Sequence, residues 1–259
     1  MARTRKLILY HAQCADGLGA AWSAWKALGD DADYVAVKHG EPPPGVEGRE
    51  VTIVDFSYPR PILLDLRARA AGLEVIDHHK SAQEDLAGLD FARFDMTKSG
   101  AVLAWEHWHP REAIPEILRY VQDKDLWRWE LPESEEVSAA LASYPYDVRV
   151  FDSLRVPDLR AEGKAILRYQ NQLVDEIVAQ AGRETIAGYD VPSVNASILQ
   201  SYVGNRLAAG EAFAAIWFQK PDGRRRYSLR SSPPKGIDVS EIARRFGGGG
   251  HAAAAGFDK

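Results

Sequence analysis

The sequence predicts an α/β protein of two domains: an N-terminal domain on a parallel sheet, joined by a helix to a smaller mixed α/β domain. Three observations carry this. Short apolar and β-branched runs alternate with helix-like stretches in the first part of the chain, the order that builds a parallel sheet with crossover helices. From Asp158 to Ala181, apolar residues recur at helical spacing (Leu159, Ala165, Ile166, Tyr169, Leu173, Ile177, Val178), as a connecting helix requires. Beyond it the pattern changes to a hairpin signal and a glycine run. The expected boundaries are 1–155 for the first domain, 156–183 for the helix and 184–259 for the second domain.

In chain order, Lys6 to Tyr10 is a short apolar run suited to a buried strand, and Gly17 to Leu28 is rich in Ala and Trp at helical spacing. Tyr34 to Val37 reads as a second strand. The turn-rich GEPPPGVEG leads into Val51 to Val54, a β-branched central strand. Pro59 to Ala71 predicts a helix, and Leu73 to Ile76 a further strand. Ser99 to about Leu141 reads as mostly helical, broken at Pro110, Pro115 and Pro132 because proline lacks the N–H that a helix interior needs. In the second domain, Phe213 to Phe218 and Tyr227 to Leu229 flank Pro221-Asp222-Gly223 and predict a hairpin. Ile237 to Phe246 then reads as a helix, stopped by Gly247 to Gly250.

A formal net charge of -5 over 259 residues excludes a protein that rides along duplex DNA by counterion release. An anionic ligand must therefore be met by local charge, metal or backbone amides. The single cysteine, Cys14, rules out an intrachain disulfide and fits a reducing compartment. The start, MARTRK, is basic, but the apolar run after it, Leu7 to Tyr10, is too short for a secretion signal or a membrane span. The expectation is a cytoplasmic, soluble chain with no membrane partner. Oligomeric state is not legible.

Ligands of open parallel sheets bind beyond the carboxyl ends of the strands. Three predicted strands end there in metal-capable residues: His11, Asp55, and the triplet Asp77-His78-His79. Carboxylate oxygen with imidazole nitrogen suits Mn²⁺, and Fe²⁺ or Zn²⁺ less selectively. Asp55 stands where a carboxylate could bridge two ions, the clamp used for displacement at phosphorus. The alternative for Asp55 is a capping role for the helix near Pro59, for which Ser57 is better placed.

The order of motifs is specific: HAQCADGLGAA, then VDFS, then Asp77-His78-His79 after a strand, then GGGGHAAAAGF at the C-terminus. Together, from Tyr10 to Phe257, they resemble the DHH superfamily of phosphoesterases with a C-terminal DHH-associated substrate-binding domain, in the manner of nano-RNase and oligoribonuclease-type members. The resemblance implies two divalent cations, Mn²⁺ first, with Mg²⁺, Fe²⁺ or Zn²⁺ as other options. It assigns His11 and Asp16 to the first metal motif, Asp55 to the bridge with a catalytic role, and His78 to a metal ligand. His79 would face the phosphate as a catalytic residue. DKDLWRW fits the fourth motif, with Asp123 as ligand in preference to Asp125. The usual first motif has an aspartate where this chain has Cys14, so Cys14 is either a soft sulfur ligand or a small residue at a tight turn.

On the substrate side, the resemblance implies that Gly248, Gly249, Gly250 and His251, with Arg230, hold the end of the substrate that is not cleaved. Bare glycine N–H groups can approach a phosphate closely. The implied partners are short single-stranded oligonucleotides or small nucleotides, hydrolysed to nucleoside monophosphates. A cyclic dinucleotide phosphodiesterase and a bisphosphonucleoside phosphatase stay open, as does, from another class, a nucleotide-binding sensor with little turnover. Trp127 and Trp129, flanking Arg128, are candidates for substrate contact, whereas Trp22 and Trp25 read as core. Ser99-Gly100 reads as a helix start whose N–H groups could meet an anion.

Overall fold

Five parallel strands build the first sheet: β1 (Lys6–His11), β2 (Ala32–Val37), β3 (Glu50–Val54), β4 (Gly72–Asp77) and the short β5 (Ala92–Phe94). Their order is β2-β1-β3-β4-β5. The computed structural model describes residues 5–232 and 234–259; Met1 to Thr4 of the basic start, and Pro233, lie outside the described residues. The chain divides into two compact units, Met1–Leu167 and Arg168–Lys259.

Helices follow the strands as crossovers and covers: α1 (Ala15–Leu28), α2 (Arg60–Arg69), α3 (Lys80–Asp85), α4 (Gly100–Trp108), α5 (Glu116–Asp125), α6 (Ser134–Leu141), α7 (Val148–Ser153) and α8 (Val156–Val178). Successive strand residues point to opposite faces, and both faces are buried. Leu7, Leu9, Ile53 and Val75 pack with Leu63 and Leu66 of α2. Ile8, Val54 and Ile76 pack with Ala20 and Ala24 of α1 and Ala104 of α4. Burial on both sides is why these strands read as unbroken apolar runs. The strand order reverses at β1, flanked by β2 and β3, which opens a crevice beyond the carboxyl ends of β1 and β3.

The helical stretch after Ser99 is cut as the prolines require, with α5 and α6 starting after Pro115 and Pro132. With α1, α7 and the start of α8 these helices enclose a core of Leu18, Trp22, Trp105, Leu118, Val121, Phe151 and Leu159. Trp22 stacks on Trp105 at 5.5 Å, so Trp22 is a core residue, as expected.

In the second unit the strands β6 (Gly182–Ile186), β7 (Tyr189–Asn195), β8 (Ala214–Gln219), β9 (Arg225–Arg230), β10 (Gly249–Gly250) and β11 (Ala254–Asp258) form a mixed sheet in the order β10-β11-β9-β8-β7-β6. The expected hairpin is β8–β9. β7 and β8 pair in parallel, linked through α9 (Gln200–Leu207). One face packs Ala215, Tyr227, Leu229 and Phe257 against Val239 and Ile242 of α10 (Val239–Arg244); the other packs Ile216 and Val194 against Val203 and Val174. Among the described residues no helix is long and apolar enough to cross a membrane.

Gly163 tests the packing of α8. A Cβ there would stand 2.0 Å from the Glu136 carbonyl oxygen of α6. Gly163→Ala should therefore destabilise the first unit by about 1–3 kcal/mol in chemical denaturation, despite alanine's better helix propensity. Unchanged or raised stability would contradict this close approach.

Candidate metal centre at the sheet edge

Consecutive strands deliver polar side chains to one edge. β1 ends in His11, β3 is followed by Asp55, and β4 ends in Asp77 and is followed by His78 and His79. Asp55 turns off its strand with φ 61, a left-handed conformation that non-glycine residues seldom adopt. Its N–H still donates to the Ile76 carbonyl at 3.1 Å, so the turn is sharp. Asp55 Oδ1 lies 3.2 Å from His78 Nε2. Oδ2 lies 3.6 Å from His11 Nδ1, too far for a hydrogen bond, and has no hydrogen-bond partner among the described residues.

Asp16 enters from the first turn of α1. Its carboxylate accepts from Gly100 N (2.6 Å) and Ala101 N (3.0 Å) at the start of α4, where unpaired amides and the helix dipole favour negative charge. Gly100 has no room for a side chain, since a Cβ would stand 2.5 Å from Asp55 Cβ. The same holds for Gly17, 2.2 Å from the His11 carbonyl oxygen, which lets α1 begin hard against β1. The sets of ligand atoms that lie within 4.8 Å of one another include His11, Cys14 and Asp55; Asp16, His78 and Asp125; and Asp55, Asp77, His78 and His79. The two oxygens of Asp55 point one toward His78, in the set with Asp16 and Asp125, and one toward His11, in the set with Cys14.

The electrostatics follow from burial. Asp16, Asp55, Asp77 and His78 are all about fully buried, at 0–1% exposure. Burial opposes the charge on Asp55, but the contact with His78 and the nearby charges of His11 and His78 hold its carboxyl well below the usual range. Asp16 is pushed well up by burial and by the charges of Asp55 and Asp125. Burial lowers the histidines, yet Asp55 and its neighbours raise His11 to about 11 and His78 to about 10. Without a metal the carboxylates are thus compensated by protons on imidazole. Residues of this kind fit divalent cations: mixed oxygen and nitrogen donors, an orphaned Asp55 Oδ2, and several acids too close to ionise without added positive charge.

Asp77 sits behind this group. Its Oδ1 accepts from His78 N (2.7 Å) and meets His79 Nδ1 (2.6 Å), while Ser57 Oγ donates to Oδ2 (2.7 Å). Burial would raise Asp77, but His79 and Ser57 outweigh it and hold it at about 2. A buried anion thereby orients His79 and raises its pKa.

Measured against expectation, the structure brings together His11, Asp16, Asp55, His78 and His79, with Cys14 Sγ among them. It does not bring Asp123. That carboxylate accepts from Glu130 N, Leu131 N and Ser134 Oγ and organises the following loop, while Asp125 lies 3.7 Å from His78 Nε2. Ser57 serves Asp77 rather than capping α2, whose N-cap is Pro59. The helix start at Ser99-Gly100 does meet an anion, and the anion is Asp16. One site neighbour was missed: His39, just beyond β2, whose ring lies 4.8 Å from His11 and 6.4 Å from His79. The strand-end rule that found His11 would have found it.

In the second unit, Gly248 and Gly250 have a packing reason: a Cβ on either would collide with the carbonyl oxygen of Gly256 or Ala254 across the β10–β11 pair, at 2.0 and 2.5 Å. Gly249 lies between them. His251 closes the tight turn to Ala254. The Arg230 guanidinium donates to Leu229 O and Ser201 Oγ, both at 2.8 Å, and makes no ion pair among the described residues. Burial lowers its pKa to about 10.

Residues 173–258 match the DHHA1 domain family. Protein R106 of Acanthamoeba polyphaga mimivirus is 28% identical, covering 96% of this chain and 66% of its own length. Oligoribonuclease NrnB of Bacillus subtilis (strain 168) is 29% identical, covering 71% of this chain and 52% of its own length. The chain thus spans about half to two thirds of the length of these curated relatives. The structure of PggH, a pGpG-specific phosphodiesterase from Vibrio cholerae, shares the fold with a TM-score of 0.51 at 14% identity, covering 98% of this chain and 93% of that one. Residues 173–258 are thus a DHHA1 domain by their family match, the chain is similar to an oligoribonuclease over 71% of its length, and its parallel first sheet and mixed second sheet belong to a fold shared with PggH.

Proposed function

We propose that this chain is a Mn²⁺-dependent phosphodiesterase that hydrolyses short single-stranded oligonucleotides to nucleoside monophosphates. The observation that carries the reading is Asp55, buried at the sheet edge with one oxygen toward His78 and an unpartnered oxygen toward His11. Asp55 would be shared by two cations, one completed by His11 and Cys14, the other by Asp16, His78 and Asp125. Bound divalent cations supply Lewis acidity at a phosphoryl oxygen and lower the pKa of water. The chain's own residues do the rest. His79, held through Nδ1 by Asp77, whose charge outweighs burial and raises the imidazole's pKa, would meet the negative charge that grows on the phosphoryl group. Asp16 is fixed by the start of α4, so its position does not depend on the substrate.

The substrate class rests on two supports. The relative named as an oligoribonuclease aligns over most of this chain. In the DHHA1 unit, Arg230 has no carboxylate partner among the described residues and suits a second phosphate, with Gly248, Gly249, Gly250 and His251 as neighbours in the proposed subsite. The -5 net charge disfavours long duplexes.

With saturating Mn²⁺, Asp55→Asn should lower turnover of both a generic bis-nitrophenyl phosphate and short RNA by about 10³-fold or more, as loss of the main charge-stabilising group does in other enzymes. Asp125→Asn should also lower turnover strongly. Asp123→Asn should act mainly through stability. Near-normal activity of Asp55→Asn, or equal kinetic losses at Asp123 and Asp125 with the fold intact, would contradict the assignment.

Arg230→Ala separates binding from chemistry. It should raise KM for di- to pentanucleotides about 10- to 100-fold, the loss of a charged hydrogen-bond pair, and leave the nitrophenyl diester within about twofold. Equal losses on both substrates would remove Arg230 from the subsite.

A further inference from the structure

The Asp55 carboxylate faces two sets of ligand atoms that differ in chemistry. Asp16, His78 and Asp125 offer two carboxylates and an imidazole, whereas His11, Cys14 and Asp55 offer an imidazole, a thiol and a carboxylate. Cys14 is the chain's single cysteine, and packing does not account for it. It is half-buried and belongs to no hydrophobic core among the described residues. The sharp turn from β1 into α1 falls on Gln13, φ 55, while Cys14 keeps an extended backbone, φ -131 and ψ 136, open to any residue type.

Cys14 also stands at the N-cap of α1, a position that favours Ser, Thr, Asp or Asn because their oxygen accepts from a helix N–H. Its side chain makes no capping bond. The sulfur instead lies within 4.8 Å of a nitrogen of His11 and an oxygen of Asp55. A second observation at the same place points to a cation. Asp55 Oδ2 is buried, has no hydrogen-bond partner among the described residues, and lies on the His11 side, 3.6 Å from Nδ1. A buried carboxylate oxygen without a hydrogen bond is costly, and a cation shared with the imidazole and the sulfur removes that cost.

We propose that His11, Cys14 and Asp55 form a thiolate cation site that selects a softer divalent ion, Zn²⁺ or Co²⁺ over Mn²⁺, beside an oxygen-rich site that suits Mn²⁺. The proposal rests on the two-cation phosphodiesterase reading and deepens it by making the two ions unlike. Thiolate sulfur favours softer ions and carboxylate oxygen harder ones, and a coordinating thiol gives up its proton to solvent. Three protein donors of mixed type also leave a position open for water or substrate, as at catalytic zinc sites. Mn²⁺ in excess occupies both sites, held at the first by imidazole and carboxylate more than by sulfur.

Co²⁺ titrated into the metal-free full chain tests this without turnover. Thiolate bonded to Co²⁺ gives a charge-transfer band in the near ultraviolet, and Cys14 is the only thiol that can supply it. The band should grow to one Co²⁺ per chain, weaken strongly in His11→Ala, survive excess Mn²⁺ and disappear under Zn²⁺. Absence of the band at saturating Co²⁺ overturns the site. So does a band erased by Mn²⁺ as readily as by Zn²⁺, or one unchanged in folded His11→Ala, which would mark a thiol acting alone. The wild-type competition decides the matter even where His11→Ala does not fold. Turnover of the nitrophenyl diester and of short RNA with Mn²⁺, assayed separately, addresses the reaction: no turnover counts against the phosphodiesterase reading, while the cobalt spectrum still decides the site.

Discussion

Three buried carboxylates at the edge of an apolar sheet are the constraint on which the first unit depends. Asp16, Asp55 and Asp77 are almost completely shielded from water, and an ionised carboxylate there is costly unless paired. Each is compensated by a different device: Asp16 by the amides that begin α4, Asp77 by His79, Ser57 and a backbone N–H, and Asp55 by the two imidazoles of His11 and His78. Only Asp55 keeps an oxygen without a hydrogen bond. The local fold serves these pairings. Gly17 and Gly100 lack side chains so that α1 and α4 can close on the strand ends, and Asp55 accepts a left-handed backbone to turn its carboxylate inward.

Much of this was legible before the structure. Apolar runs marked β1, β3 and β4, and the rule that ligands gather beyond the carboxyl ends of parallel strands picked out His11, Asp55 and the Asp77-His78-His79 triplet. What escaped has physical reasons. Asp123 and Asp125 are two residues apart on α5, so their side chains diverge by about 200° around the axis, and only tertiary packing decides which one faces His78. His39 is exposed and stands two residues beyond β2 rather than at the strand's last residue, so the strand-end rule reaches it only when carried past the strand. Short β5 and the early strands of the second sheet carry too few apolar residues to announce themselves. The glycine run was read as a phosphate cradle; backbone contact across β10 and β11 supplies a second and sufficient reason for two of its glycines.

The two units divide their physical work. In the first, charge compensation and tight helix–strand contact fix a rigid set of oxygen and nitrogen donors. In the second, a mixed sheet presents Arg230 from β9, tethered by a serine hydroxyl and a carbonyl rather than by a carboxylate. Arg230 is partly buried and makes no ion pair among the described residues, and the loss of solvation lowers its pKa.

On the proposed two-cation reading, protons on His11 and His78 occupy the place that metal cations would take. Burial lowers both imidazoles, but Asp55 and its neighbours outweigh it and raise His11 to about 11 and His78 to about 10, so binding of a metal would compete with protons on these rings. Apparent metal affinity must then fall as pH falls. Titration of Mn²⁺ into metal-free protein at pH 7, in buffers of different ionisation enthalpy, should give about two ions bound per chain with about two protons released, and near-total loss of this binding in His78→Ala. Binding without proton release, or stoichiometric binding undiminished in His78→Ala, would contradict the account.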